Sequence, residues 1–217
     1  MKSNPVKFRA YLAIFTVFTV LVVDQIIKLL VKTNMSLHEK IDVTSWFQIY
    51  FVENDGMAFG MDFIGTNILT LFRIVAVGFF AYLLVKTIKK KYPIGFIFCF
   101  SLVLAGAAGN IIDNCLYGLI FSESMPAHYG FEPAGFVPFG SGYGSFLSGR
   151  VVDMFYFPLF VWPEGMPLVG GEVFFNAIFN FADAAISCGA VAMFIFYYKY
   201  LSGHPQAKDE TPEEKEA

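Results

Sequence analysis

The chain has 217 residues, of which 56% are hydrophobic and only 15% are charged. This composition leaves too few charges for an ordinary soluble domain and predicts a membrane protein. The formal net charge of −3, with no basic stripe carrying interleaved aromatic residues, argues against a nucleic-acid partner.

Four apolar segments are long enough to cross the hydrocarbon of a bilayer as helices, which takes about 20 residues each. They run approximately over residues 10–31, 67–87, 93–117 and 174–198. The first follows basic residues, as a secretory signal does, but no Ala-x-Ala-like cleavage site follows it. We therefore expect it to be retained, in an all-α polytopic membrane protein with four transmembrane helices.

The first connection, about residues 40–63, carries a signal for β-structure. Residues 46–53 are rich in strand formers, Asn54 to Gly56 can supply a turn, and residues 57–61 are apolar again. We predict a small external β-sheet here. An ordinary hairpin, in which Asn and Gly only tolerate a positive φ, is as well supported as a functional loop.

The placement of lysine and arginine predicts the orientation of the helices. Lys2, Lys7 and Arg9 flank the first segment, and residues 86–91 between the second and third contain four lysines. Both regions are expected in the cytoplasm. The third connection, residues 118–173, has Arg150 as its only lysine or arginine and is expected outside. Both termini are therefore predicted to be cytoplasmic.

Two further segments have distinctive compositions. Residues 120–148 are rich in Gly, Pro, Ser and aromatic residues and predict an extended external loop, either a lid or a surface feature. Residues 202–217 have almost nothing to bury and predict a disordered cytoplasmic tail. Residues 1–201 are expected to form a single membrane-embedded domain.

Charges within the spans require a reason, because each costs about 2.5–3.5 kcal/mol to insert at the centre of a membrane helix. They are Asp24, Lys28, Arg73, Asp113 and Asp183, and the alternating helix directions put all of them toward the external side. Asp153 precedes the fourth span in an alternating stretch that can lie against the same face. The acidic residues can therefore converge on one site.

Several of these residues have a structural interpretation. Asp24 and Lys28 are four residues apart, which favours a mutual ion pair over a direct reaction role. Arg73 is expected to snorkel or to neutralise a neighbour. Asn110 and Asp113 are one helical turn apart and can hydrogen bond between helices.

Asp153 and Asp183 carry two open interpretations. On spacing alone, catalysis and an interhelical polar clasp are equally supported. A small proton- or ion-coupled carrier, using the same carboxylates as a relay, is the alternative function. The bundle is short and the two halves of the sequence show no internal repeat, which argues against a carrier.

Five short blocks occur in order between Asp24 and Ile186. They are Asp24-Gln-x-x-Lys28, Asn54-x-Gly-x-Ala-Phe59, Gly109-Asn-x-x-Asp113, Val151-Val-Asp153 and Phe179-Asn-x-Ala-Asp-x-x-Ile186. Each block is weak alone, but the ordered set resembles the lipoprotein signal peptidase (signal peptidase II) family of bacteria.

This resemblance implies an aspartic endopeptidase that removes the signal peptide from diacylglyceryl-modified prolipoproteins, on the N-terminal side of the lipid-modified cysteine. Asp153 and Asp183 would be its catalytic pair. By the same resemblance, the site would be shaped or supported by Asp24, Lys28, Asn54, Gly56, Asn110, Asp113 and Asn180. The implied location is the bacterial inner membrane, with the site toward the external or periplasmic side. We expect prolipoproteins and the bilayer as partners, and a monomer.

Two carboxylates that share one proton can hydrolyse an amide, because close like charges resist double ionisation. The charged carboxylate activates water and the neutral one polarises the scissile carbonyl. The three cysteines lack CxxC spacing and no HExxH motif occurs. We therefore expect neither a metal nor an organic cofactor.

The chain departs from the family pattern at two places. The family usually has arginine directly after the aspartate of the third block, where this chain has Asn114. One hypothesis is that Arg150 replaces that arginine. The family also keeps the third and fourth blocks close together, whereas residues 120–148 separate them here.

Overall fold

The computed structural model describes residues 4–54, 66–126 and 132–202. These contain four long helices: α1 (Pro5–Asn34), α2 (Thr66–Lys89), α3 (Ile94–Ile120) and α4 (Phe181–Leu201). All four are long and apolar enough to cross a membrane, which confirms the predicted spans. Gly56 and the predicted tail from residue 203 onward lie outside the described residues.

Helix α3 is the centre of the bundle and packs against each of the other three helices. Helices α2 and α4, over their described lengths, both pack on α3 but have at most marginal contact with each other. Their outer faces expose large apolar side chains such as Phe72, Phe79 and Phe194. Such surfaces suit a lipid environment, because a soluble monomer rarely exposes so much contiguous apolar area.

The predicted β-sheet is present, but half of it comes from a distant part of the chain. Strands β1 (Lys40–Thr44), β2 (Phe47–Asn54), β3 (Val151–Tyr156) and β4 (Ile178–Phe179) form one antiparallel sheet in that order. The pairing of β2 with β3 sets Val52 opposite Asp153 and Asn54 opposite Val151. Separate sequence blocks therefore meet on neighbouring strands.

A buried apolar cluster joins the sheet to the ends of α1 and α3. Its largest members include Phe51 from β2, Met154 from β3, and Tyr117 and Phe121 from the end of α3. Burying aromatic side chains of this size stabilises a junction by a few kcal/mol, about 1.5–3 kcal/mol for each fully buried side chain. The sheet is therefore held firmly against one end of the helix bundle.

One predicted helix boundary is wrong. The fourth span was placed from residue 174, but α4 begins at Phe181, because Asn180 caps it and residues 178–179 form β4. A short apolar run cannot by itself distinguish a strand from a helix. The alternating stretch of residues 149–157 does contain a strand, β3, which is buried on both faces at residues 151–154.

The predicted extended loop, residues 120–148, is packed over its described part against the end of α3. The backbone nitrogen of Gly144 donates to the carbonyl of Gly118 at 2.8 Å. The hydroxyl of Thr70 on α2 donates to the carbonyl of Leu147 at 3.2 Å. The segment thus connects the end of α3 to the beginning of α2.

Candidate active site

Asp183 lies in the first turn of α4 and is held there by a reciprocal cap. The Asp183 backbone nitrogen donates to Asn180 Oδ1 at 2.8 Å, and the Asn180 backbone nitrogen donates to Asp183 Oδ2 at 3.4 Å. This capping box satisfies two backbone donors that the helix itself cannot. The three-residue spacing within the Asn-x-Ala-Asp block is therefore the spacing of a helix start.

Asp153 lies in the middle of β3 and is 3% exposed. Its Oδ1 accepts a hydrogen bond from Asn180 Nδ2 at 2.6 Å, and its Oδ2 accepts one from Asn54 Nδ2. Burial, followed by the nearby Asp183 carboxylate, raises the pKa of Asp153 to about 7. The site thus favours retention of a proton near neutral pH.

The Asn110 carboxamide completes a connection between the two acidic residues. Asn110 Nδ2 donates to Asp183 Oδ1 at 2.8 Å, and Asn110 Oδ1 accepts from Asn180 Nδ2 at 3.1 Å. Asn180 and Asn110 therefore link Asp153 to Asp183 through side-chain amides. These hydrogen bonds orient both carboxyl groups without placing another charge between them.

A buried ionic cluster lies behind these amides. Lys28 Nζ lies 3.0 Å from Asp24 Oδ2 and 2.7 Å from Asp113 Oδ2, and all three side chains have no exposed surface. The same ammonium donates to Asn110 Oδ1 at 2.8 Å. A buried charge needs such partners, because desolvation costs several kcal/mol per ion. Lys28 therefore joins α1 to α3 beside the side-chain amide of Asn110.

The two carboxylates of this cluster also hold the backbones that carry Asp153 and Asp183. Asp24 Oδ1 accepts from the backbone nitrogen of Ala182 at 2.9 Å. Asp113 Oδ2 accepts from the backbone nitrogen of Val152 at 3.4 Å. Each anchored residue immediately precedes one of the two aspartates, so the cluster sets their separation and orientation.

Gln25 is a further member of this network and is absent from the site residues predicted from the sequence. Gln25 Nε2 donates to Asp113 Oδ1 at 2.8 Å and to Asp24 Oδ2 at 3.2 Å. Its Oε1 accepts from the hydroxyl of Tyr117 at 3.2 Å. The available signal was its position inside the first sequence block.

Gly109 allows α1 and α3 to approach at this level. A Cβ atom built on Gly109 would lie 2.9 Å from Asp24 Oδ2, closer than ordinary van der Waals contact. Close helix approach through small residues is a common feature of membrane bundles. The glycine that opens the third sequence block therefore leaves room for the ionic cluster.

Two cavities are lined by side chains of α2, α3 and α4. One, of about 510 Å³, is lined by residues that include Asn54, Arg73, Asn110, Val151, Asp183 and Ile186. The other, of about 860 Å³, is an apolar groove between α2 and α4 over α3. Phe80 lines both, so the groove adjoins the cavity beside Asp183.

Comparison with known proteins assigns the chain to a family. The model of the family described as signal peptidase (SPase) II matches residues 16–199. The chain belongs to the signal peptidase II family.

Relatives and solved structures agree with that assignment. A lipoprotein signal peptidase of Porphyromonas gingivalis is 48% identical over 198 residues, which cover 89% of this chain and 85% of the relative. Another, from Amoebophilus asiaticus, is 32% identical and covers 88% of this chain and 79% of the relative. A structure described as a bacterial membrane enzyme has a TM-score of 0.59 at 21% identity, covering 90% of this chain and 93% of that one. At this identity it shows a shared fold.

The position that departs from the family pattern, Asn114, contacts a cation on another helix. Arg73 Nη1 on α2 donates to Asn114 Oδ1 at 3.2 Å. Asn114 Nδ2 donates to the carbonyl of Gly149 at 2.7 Å, just before β3. Arg73 also interacts electrostatically with Asp183. Arg73 thus lies at the cavity, where its interaction with Asp183 agrees with the expectation that it neutralises a neighbour.

Arg150, the hypothetical replacement for the family's arginine, forms ion pairs with Glu123 and Glu53. Its Nη1 lies 3.4 Å from Glu123 Oε1 and 3.7 Å from Glu53 Oε2. Glu53 is also paired with the buried Lys32, whose Nζ donates to Ser124 Oγ at 2.9 Å. This second ionic cluster supports the end of β2, one residue before Asn54.

Proposed function

We propose that this chain is an aspartic endopeptidase that removes the signal peptide from diacylglyceryl-modified prolipoproteins, with Asp153 and Asp183 as the catalytic pair. Family membership supports the reaction. The observation that supports the pair is its shared amide network: both carboxyl groups are oriented by Asn180 and Asn110, and one of them borders a cavity. The carrier alternative has no comparable support.

The geometry suits a division of labour between one neutral and one ionised carboxyl group. Asp153 is the better candidate to hold the shared proton, because it is buried and Asp183 discourages its ionisation. Asp183, which lies in the first turn of α4 and borders the cavity, is the better candidate for the base. Asp183 then removes a proton from water while Asp153 polarises the scissile carbonyl, and the proton passes to the departing amine.

The second cavity offers a path for the apolar part of the substrate. A signal helix is apolar, and the groove between α2 and α4 is lined by side chains such as Phe96, Val191 and Phe194. Because α2 and α4 have at most marginal contact over their described lengths, a helix can approach laterally from lipid. In this arrangement the cleavage bond lies beside Asp183 and the signal helix extends along the groove.

The placement of lysines on α2 supports an orientation of the enzyme in the membrane. Helix α2 ends in Lys86 and Lys89, which favour the cytoplasmic side, while its other end lies toward the site. The active site would then face the external side of the inner membrane. Both termini would be cytoplasmic, and the enzyme would act as a monomer.

Single substitutions test the catalytic pair. Purified protein is incubated with a diacylglyceryl-modified prolipoprotein, and cleavage is compared for the wild type, Asp153→Asn and Asp183→Asn. Each variant should lose activity by at least about a thousandfold, because removal of one member of a catalytic unit disables the unit. Asp42→Asn, which changes an exposed aspartate of β1, is the matched control and should cleave normally.

The result must separate catalysis from folding. Thermal unfolding in detergent should show that both variants remain folded. Turnover retained by both variants would refute the catalytic assignment. Proton or ion transport by reconstituted wild-type protein, without any cleavage, would favour a carrier.

A further inference from the structure

Arg73 is a cation on the wall of the cavity that contains Asp183. Its guanidinium is partly buried and is oriented by the hydrogen bond from Nη1 to Asn114 Oδ1 at 3.2 Å. Asn114 is fully buried and is itself held by its 2.7 Å hydrogen bond to the carbonyl of Gly149. The position of the guanidinium is therefore set by α3 and by the segment that leads into β3.

The face of α2 that carries Arg73 continues along the apolar groove. Val77 and Phe80 follow Arg73 at spacings of four and seven residues and line the same cavity. Phe80 and Leu83 then line the groove. One face of α2 thus runs from the cation to the groove, so Arg73 stands at the end of the groove nearest Asp183.

Hydrolysis of the scissile amide creates a new charge at this place. Water adds across the bond: the carbonyl carbon gains a hydroxyl group and the nitrogen gains a hydrogen. Near neutral pH the resulting acid loses its proton, so the signal peptide is left with a carboxylate and the lipoprotein with an amine. The new carboxylate would be repelled by the carboxylates already in the site unless a cation neutralises it.

The guanidinium of Arg73 has the chemistry to bind that carboxylate. Arginine presents a planar fork of N–H donors that matches the two oxygens of a carboxylate. The side chains of Asn54, Asn110 and Asn180 already donate to the aspartates. Lys28 is committed to Asp24 and Asp113 beneath the site. Arg73 borders the cavity and lies on the face of α2 that continues along the groove.

We propose that Arg73 binds the newly formed C-terminal carboxylate of the cleaved signal peptide while its apolar helix still occupies the groove between α2 and α4. This inference rests on the proposed function, because that reaction supplies the carboxylate. Arg73 is a product-binding residue in this scheme and takes no part in proton transfer. It distinguishes the cleaved peptide from the uncleaved chain by charge.

Binding of two synthetic peptides tests the proposal directly. Both have the same signal sequence and a fluorescent label and end at the residue that precedes the cysteine; one ends in a carboxylate and the other in an amide. Fluorescence anisotropy in detergent gives the Kd of each for the full-length protein, after subtraction of protein-free micelles. The wild type should bind the carboxylate peptide at least about tenfold more tightly, as expected for a charge-assisted hydrogen bond.

Substitutions identify the cation responsible. In Arg73→Gln the ratio of the two Kd values should fall to about twofold or less, because the charge is lost. In Arg73→Lys the ratio of the two Kd values should lie between that of the wild type and that of Arg73→Gln, because the charge remains but the planar fork of donors is lost. Arg9→Gln, which changes an arginine at the beginning of α1 bonded to the Tyr92 carbonyl, is the matched control and should keep the wild-type ratio.

Two outcomes would overturn the proposal: equal affinity of the wild type for both peptides, or an unchanged ratio in Arg73→Gln. If Arg73→Gln does not fold, an unchanged ratio in Arg73→Lys would contradict the role of the fork. Cleavage of prolipoprotein is measured separately on the same preparations. If the protein cleaves prolipoprotein but binds both peptides equally, only the role of Arg73 is refuted. If the protein prefers the carboxylate peptide but does not cleave, the proposed function is refuted.

Discussion

Asn180 Nδ2 donates a 2.6 Å hydrogen bond to Asp153 Oδ1, while Asn180 Oδ1 accepts a 2.8 Å hydrogen bond from the backbone nitrogen of Asp183. A single side chain therefore caps α4 and orients the carboxyl group on β3. Because the two roles use opposite ends of one carboxamide, neither aspartate can shift independently of the other. This relationship leads to a test that separates helix capping from orientation of the pair.

Asn180→Ala should lower kcat/KM for prolipoprotein cleavage by roughly a hundredfold, because the two aspartates lose their common support. Loss of the cap should also lower the free energy of unfolding by about 1 kcal/mol. Asn4→Ala is the matched control, since Asn4 caps α1 by accepting from the backbone nitrogen of Val6 at 3.0 Å. Asn4→Ala should lose a similar amount of stability but keep wild-type activity. If both variants lose activity equally, Asn180 acts only as a helix cap.

Lys28→Met should destabilise the protein by about 3–5 kcal/mol, because Asp24 and Asp113 would be left buried without their cation. Thermal unfolding in detergent micelles measures the loss. Lys89→Met, at the exposed end of α2, should unfold at nearly the wild-type temperature. A melting temperature for Lys28→Met within a degree of wild type would show that Lys28 does not stabilise the cluster.

Gly109→Ala should reduce both activity and stability, because the added methyl group would lie 2.9 Å from Asp24 Oδ2 and would displace that carboxylate. A clash of this kind in a packed core costs about 1–3 kcal/mol. Gly78→Ala in α2 is the matched control, since an added Cβ there meets nothing within 4 Å. If both substitutions behave alike, the close approach of α1 and α3 at Gly109 has no functional consequence.

The pH dependence of cleavage should report the proton on Asp153. Its pKa is raised to about 7, so the protonated form predominates below this pH and is lost as the pH rises through it. The rate should therefore fall on the alkaline side of neutrality, as measured by kcat/KM from pH 5 to pH 9. Asn54→Ala removes a donor to the charged form of Asp153, which favours protonation. The fall of kcat/KM on the alkaline side should therefore occur at higher pH in Asn54→Ala. If this fall occurs at the wild-type pH, the proton on Asp153 does not determine it.

Local patterns in the sequence were sufficient for the spans and for the strand of the first connection. Four apolar runs predicted α1 to α4, because a transmembrane helix is specified by about 20 consecutive apolar residues. The strand formers of residues 46–53 predicted β2. The ordered blocks identified the family, which comparison with known proteins confirms. The roles of Asp153 and Asp183 stay predictions, as do those of their supporting residues.

Contacts between distant segments were decided only by the tertiary structure. No local pattern indicates that Arg73 contacts Asn114 or that Asp24 caps the backbone at Ala182. The beginning of α4 was also misplaced, since β4 forms only when β3 is beside it. Composition and periodicity determined which segments enter the membrane, because the energy of burial in lipid is a property of each segment alone. The arrangement of the site depended on how those segments pack, because hydrogen bonds and ion pairs require partners that lie far apart in the chain.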